Sequence, residues 1–242
     1  MANYRNYEVP EYGTLKEMLA ASTAQFADRP AFREKADGVW REKTYREYGE
    51  DVNALGTELL AQGFGGKRII VTGINSYAWV VTYMAVICGV GVIVPVDKEI
   101  PAEELANIAH VSEAALVVYG AKSAEKVETL PPEVARCSFA KLSELIRAGK
   151  RRIAEGDRAY LDATVDPNVM SALIFTSGTT GVSKGVMLSH RNLCFDIHEA
   201  RQMLFCGPKD VCLSVLPLHH VYECTVGFLA QLWSGSSVAF SE

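Results

Sequence analysis

This sequence has no C-x-x-C pair, no excess of positive charge, no apolar leader, no internal repeat and no low-complexity segment. Each absence removes a class of protein. Cys88, Cys137, Cys194, Cys206, Cys212 and Cys224 fall at irregular spacings, which excludes the ligand pattern of a zinc ribbon or a dithiol redox centre. Several lie in apolar runs, where cysteine behaves as a small hydrophobe, so reduced, buried thiols in a cytoplasmic protein are expected rather than a disulfide framework. The formal net charge of -5 argues against a nucleic-acid partner, because such proteins concentrate basic surface. The one short basic run, Lys150, Arg151 and Arg152, reads as a solvated helix end. The N-terminal MANYRNYEVPEYG lacks the apolar core of a signal peptide, and no secretion is expected.

What is present is enough apolar material for a sizeable core: 242 residues, 49% of them hydrophobic, fit one large or two small domains. Residues 69–96 carry no charge, and 77–96 alone are long enough to span a bilayer. Gly89 and Gly91 interrupt that run and Pro95 follows. IIVTG and VIVPV, at its two ends, are short and β-branched, like buried parallel strands. A strand, helix, strand unit inside a soluble domain is therefore expected, not a transmembrane segment.

Thr14 with Glu17, and Thr44 with Glu47, have capping-box spacing and predict helices over 14–27 and 44–62. Strand 68–73, helix 76–88 and strand 92–96 follow; Pro101, with Glu103 and Glu104, then suits the first turn of a helix. After strand 115–119, Ser123 and Ser143 are candidate caps of short helices, and the polar stretch 156–168 marks either a sub-boundary between domains or a surface loop. The pattern resumes with strands 170–176 and 185–188, a helix over 190–204 capped by Ser189, strand 211–215, a helix near 221–232 and strand 237–240. Strands alternating with helices imply an α/β fold with parallel sheets flanked by helices. The chain stops at SVAFSE, directly after a strand and with no closing helix, and reads as cut.

Between the apolar runs ALIF and VML lies TSGTTGVSKG, residues 176–185. Gly178, Gly181 and Gly185 free the backbone so that consecutive N–H groups can converge on an anion. Thr176, Ser177, Thr179, Thr180 and Ser183 add hydroxyls, and Lys184 adds a compact mobile charge. A polyphosphate suits that set, although Gly, Ser and Thr also make ordinary polar turns. The Walker P-loop does not fit: Ser183 stands where its second glycine belongs, Gly185 where its Mg-binding hydroxyl belongs, and a strand-like GVMLS replaces the helix.

TSGTTGVSKG does resemble the phosphate-binding signature of the adenylate-forming enzymes, which include acyl-CoA synthetases, luciferases and the adenylation domains of peptide synthetases. It departs from that signature in Ser183, where proline is usual, a change that loosens the loop by up to about 1 kcal/mol but removes no phosphate ligand. GINSYAWVVTYMAVICGVGVIVPVD resembles the family's region in which an Asn-Ser pair starts a helix and a small-residue turn leads into a strand. LSVLPLHHVYE resembles the segment in which Pro-Leu-x-His enters a helix lining the acyl pocket, here Pro217 to His220. The following Val-Tyr-Glu, and FREKADGVWREKTYREYGE near the start, are most similar to the long-chain fatty acyl-CoA synthetase branch.

The resemblance covers essentially the whole chain, 1–242, as the first portion of the family's large N-terminal AMP-binding domain, with the C-terminal subdomain absent. It implies joining of a carboxylate, a fatty acid by the branch, to ATP with release of pyrophosphate, then transfer to coenzyme A, with Mg2+ as the usual metal. It implies that Thr176, Ser177, Gly178, Thr179, Thr180 and Gly181 hold the phosphates, that Lys184 pairs with their charge, and that His220 sits near the carboxylate or acyl-adenylate. It assigns no role to His219 and no metal ligand within these residues. The adenine-binding, ribose-binding and C-terminal lysine segments of the family lie downstream, so the 242-residue chain is expected to be inactive alone. Peripheral membrane association, acyl length and oligomeric state stay open. So do two other functions, an adenylation module loading a carrier protein and a non-catalytic nucleotide- or acyl-binding protein.

Overall fold

The computed structural model describes residues 7–36, 38–176 and 184–241. Helix α1 (Leu15–Gln25) begins at the first expected capping box: Thr14 accepts from Glu17 N–H, and the Glu17 carboxylate accepts from Thr14 N–H. The antiparallel strands β1 (Pro30–Ala36) and β2 (Val39–Thr44) follow, a hairpin that sequence reasoning passed over. Six of its thirteen strand residues are charged and β2 is largely exposed, so the apolar alternation of a half-buried strand is missing. Helix α2 (Tyr45–Ala61) starts at the second capping box, on Thr44 and Glu47.

The charge-free stretch resolves into β3 (Arg68–Thr72), α3 (Tyr77–Ala85), a π-helical segment Val86–Val90 and β4 (Val92–Val96). No described helix is long and apolar enough to cross a membrane. Gly91 is required at the entry to β4, since a Cβ there would lie 2.1 Å from the Lys67 carbonyl oxygen. Pro101 directly precedes α4 (Ala102–Val111), which leads to β5 (Ala114–Tyr119), the short α5 (Ala124–Glu128) and β6 (Ala135–Ser138).

Helix α6 (Leu142–Ala154) corrects two expectations. Ser143 is not its cap: the helix already starts at Leu142, behind a 3-10 turn whose Ser138 hydroxyl caps Ala140 N–H. Nor is the basic run simply solvated. Lys150 reaches the buried Asp51 at 2.7 Å and Arg152 the buried Glu58 at 2.7 Å, so this helix end is tied to α2. Asp51 also accepts from Tyr77 Oη at 2.9 Å and Lys43 Nζ at 3.2 Å; these partners outweigh its burial and hold its carboxyl below the usual range. The polar stretch after α6 is anchored by the buried Tyr160, whose hydroxyl donates to the Ala85 carbonyl at 3.0 Å. Lys16 Nζ donates to the carbonyls of Tyr160 and Ala163 in the same stretch.

The final elements are β7 (Met170–Thr176), β8 (Lys184–Ser189), α7 (His190–Met203), β9 (Val211–Leu213), a π-helical segment Glu223–Leu229, α8 (Ala230–Ser234) and β10 (Ser237–Phe240). Ser189 caps α7 as expected, in a box completed by Asn192. One sheet has the order β6-β5-β3-β4-β7-β8 and the other β2-β1-β10-β9. Both are parallel except for an antiparallel hairpin at one edge, β7–β8 and β1–β2.

Pleating sorts the larger sheet's side chains between two cores. Ile69, Val71, Leu116 and Val118 face the main core with α1, α2, α3 and the smaller sheet, whereas Ile70, Val94 and Val117 face α4 and α5. Covered on both faces, the sheet leaves only strand ends and edges for a ligand.

Candidate functional site

The connection leaving β4 runs back to β5, across β3, while the one leaving β7 turns the other way into β8. Adjacent parallel strands whose connections part in this way leave a crevice beyond their carboxyl ends. A cavity of about 400 Å³ lies there, lined by the end of β4 (Pro95 to Asp97), the end of β7 (Ile174 to Thr176) and the turn carrying His219 and His220.

Thr176 and Lys184 stand opposite each other as the last aligned pair of the β7–β8 hairpin, and both are exposed. Thr176, the first hydroxyl of the glycine-rich motif, lines the cleft, and the motif's lysine is its cross-strand partner on β8. Ser177, Gly178, Thr179, Thr180 and Gly181 lie outside the described residues.

On the opposite rim, Leu218 is buried while His220 is exposed. Among the described residues, the His220 imidazole hydrogen-bonds to none. Its ring lies 4.7 Å from that of His219, which is half-buried, with Nε2 3.7 Å from Asp97 Oδ2. Burial holds His219 below the ordinary histidine range; Asp97 acts upward, and His220 and Lys98 act downward with the burial. His219 also lines a second cavity of about 250 Å³, bounded by Asn75, Ser214, Lys98 and Lys122.

Two residues of this region went unassigned in the sequence. Asn75 was read as part of the helix start, yet Ser76 is the cap, accepting from Trp79 N–H, and Asn75 points to the turn before His219. Glu223 is buried with its carboxylate against Ser214 Oγ at 2.6 Å; desolvation raises its pKa and that hydrogen bond opposes the rise. In the sequence it entered only through the Val-Tyr-Glu resemblance, with no role of its own.

The residues sort chemically into an anion-binding rim and an imidazole rim. Among the described residues no group of three His, Cys, Asp or Glu side chains could hold a metal ion. The profile of the AMP-binding enzyme family matches residues 19–242. The chain belongs to that family.

Within the family, the probable CoA ligase CCL9 of Humulus lupulus is 29% identical over 234 residues, covering 93% of this chain and 43% of that protein. The long-chain-fatty-acid–CoA ligase FadD15 of Mycobacterium bovis is 28% identical over 253 residues, covering 97% of this chain and 41% of that one. Tyrocidine synthase 2 of Brevibacillus parabrevis is 34% identical over 156 residues, covering 64% of this chain and 4% of that protein. The solved structure of VinN with 3-methylaspartate overlays with a TM-score of 0.84 at 20% identity, covering 96% of this chain and 62% of that chain. That likeness establishes the fold, the N-terminal domain of adenylate-forming enzymes. The chain spans less than half the length of CCL9 and FadD15.

Proposed function

We propose that this chain supplies the ATP-phosphate and carboxylate sites of an acyl-CoA ligase whose substrate is a fatty acid. The observation that supports the reading is the cleft beyond β4 and β7, lined by Thr176, the cross-strand partner of Lys184, and by His220. ATP phosphates bind along residues 176–181 with Lys184 neutralising their charge. The carboxylate lies toward His220, which can donate a hydrogen bond to one of its oxygens while the other attacks the α-phosphorus and pyrophosphate leaves. Positioning and charge stabilisation are the main contributions a protein makes to such a step. Coenzyme A, a polyanion, approaches through the cavity bounded by Lys98 and Lys122, and its thiol meets the acyl-adenylate beside His219. The fatty acid assignment is supported by the Val221, Tyr222, Glu223 continuation and by the similarity to FadD15.

ATP binding tests the cleft directly. Calorimetric titration of the chain and of Lys184→Ala is expected to show about a tenfold loss of affinity, or about 1.4 kcal/mol, with an unchanged thermal midpoint. Equal, measurable affinities would remove Lys184 from the site. Acyl transfer to coenzyme A but not to a carrier-protein phosphopantetheine would separate the ligase from a carrier-loading adenylation module.

A further inference from the structure

Between β9 and the helical segment at 223 the chain makes the turn that presents both cleft histidines, and one distant side chain holds that turn. Asn75 Nδ2 donates to Ser214 Oγ at 2.9 Å and to the Leu216 carbonyl at 2.7 Å, while its Oδ1 accepts from Leu218 N–H at 3.0 Å. The amide thus spends both faces of its hydrogen-bonding capacity on three groups within five residues of the turn. Nothing in its own helix calls for this, because Ser76 caps α3.

Ser214 carries the arrangement into the core. Its Oγ accepts from Asn75 and donates to Glu223 Oε1, so the bonds run in one direction from amide to hydroxyl to carboxylate. The Glu223 carboxylate in turn occupies the space that a side chain at 227 would need: a Cβ on Gly227 would lie 2.5 Å from its carboxyl carbon. The widened π-helical turn Glu223–Leu229 leaves room for a buried acid at this point. The turn is therefore tied at 214, 216 and 218 to the exit of β3, and at 223 to the core.

We propose that Asn75 is a positioning residue for the His219–His220 pair, with Ser214 and Glu223 as its anchor. It acts through the turn: by fixing Leu216 and Leu218 it sets how far the following imidazoles extend over the cleft. The importance of that for ligand binding rests on the function proposed above; the positioning itself does not.

Imidazole NMR on the 242-residue chain separates the two. His190 lies far from the turn, bound to Leu15 N–H and the Ile87 carbonyl, and serves as the internal reference for an intact fold. Asn75→Ala is expected to move the His219 and His220 ring resonances, leave those of His190 in place, and weaken binding of AMP esterified with dodecanol about tenfold. Asn75→Asp keeps the acceptor for Leu218 N–H but loses both Nδ2 donations, and is expected to give a smaller movement of the same two rings. If Asn75→Ala disturbs His190 as well, the reading is taken from Asn75→Asp. His219 and His220 resonances that coincide with wild type in the folded variants would overturn the proposal. Movement of both rings with unchanged affinity for the AMP ester would uphold the clamp and count against the cleft as the adenylate site.

Discussion

His190 and His220 lie at opposite ends of the same sheet and are used in opposite ways. His190 borders the entry to β4 and β7, fully buried; its Nδ1 accepts from Leu15 N–H at 3.0 Å and its Nε2–H donates to the Ile87 carbonyl at 2.9 Å. Both ring nitrogens are spent, which defines a neutral tautomer and a structural role. His220 borders the exit of the same strands, exposed, its imidazole with no hydrogen-bond partner among the described residues. A histidine with free nitrogens at the carboxyl end of a parallel sheet is available to a ligand; one with both engaged at the amino end is not.

The largest effect expected from breaking this contrast is at the base. His190→Ala leaves the Leu15 N–H and Ile87 C=O buried without partners, a cost of about 3 kcal/mol. The thermal midpoint should then fall by roughly 6–12 °C. A midpoint within a degree or two of wild type would mean that the base does not depend on this ring.

Next in size is the pH dependence. Burial lowers the His190 pKa, against smaller upward effects of the Ile87 hydrogen bond and Glu17. A depressed folded pKa means that this contribution to stability is present above the unfolded value of about 6.5 and is lost as pH falls below it. The half-buried His219, also shifted downward, adds to the same slope. Thermal melts between pH 7.5 and 5 should therefore show declining stability on acidification, with a shallower decline in His190→Ala. Parallel slopes would assign the effect to other groups.

At the other end, His220→Ala should leave the midpoint nearly unchanged while weakening the AMP ester about fivefold, or about 1 kcal/mol. A large drop in midpoint would make His220 another structural histidine and erase the contrast. The smallest effect belongs to Glu223→Gln. A raised carboxyl pKa means that the stability contribution is full below the unfolded value and lost as pH rises through the folded one, so at neutral pH the buried charge is a burden. Removing it while keeping an acceptor for Ser214 should raise the midpoint by roughly 2 °C at pH 7 and by nothing near pH 4. An equal gain at both values would point to a cause other than charge.

Much of the fold was legible because its signals are local. Thr14, Thr44 and Ser189 cap the helices expected of them, and the β-branched runs IIVTG and VIVPV hold β3 and β4. The β1–β2 hairpin was missed because Arg33 and Glu42 form a cross-strand ion pair on a polar face, which leaves no alternating apolar pattern to detect. Ser143 failed as a cap because a 3-10 turn starts the helix one residue earlier, a boundary shift that propensity does not resolve. At the site, the apolar runs on either side of the motif made the strands carrying Thr176 and Lys184 legible, while residues 177–183 lie outside the described residues.

Sequence alone determined the strands that carry Thr176 and Lys184, the caps at Thr14, Thr44 and Ser189, and the two-faced burial of the central strands, since each depends on residues a few positions apart. Tertiary structure decided which histidine is structural, which basic side chains are tied to buried acids, and that Asn75 serves the turn at 214–218 rather than its own helix. Those contacts join residues up to 175 positions apart. Hydrogen bonds of that span arise only once packing has brought the groups together and removed the competing water, so no local pattern encodes them.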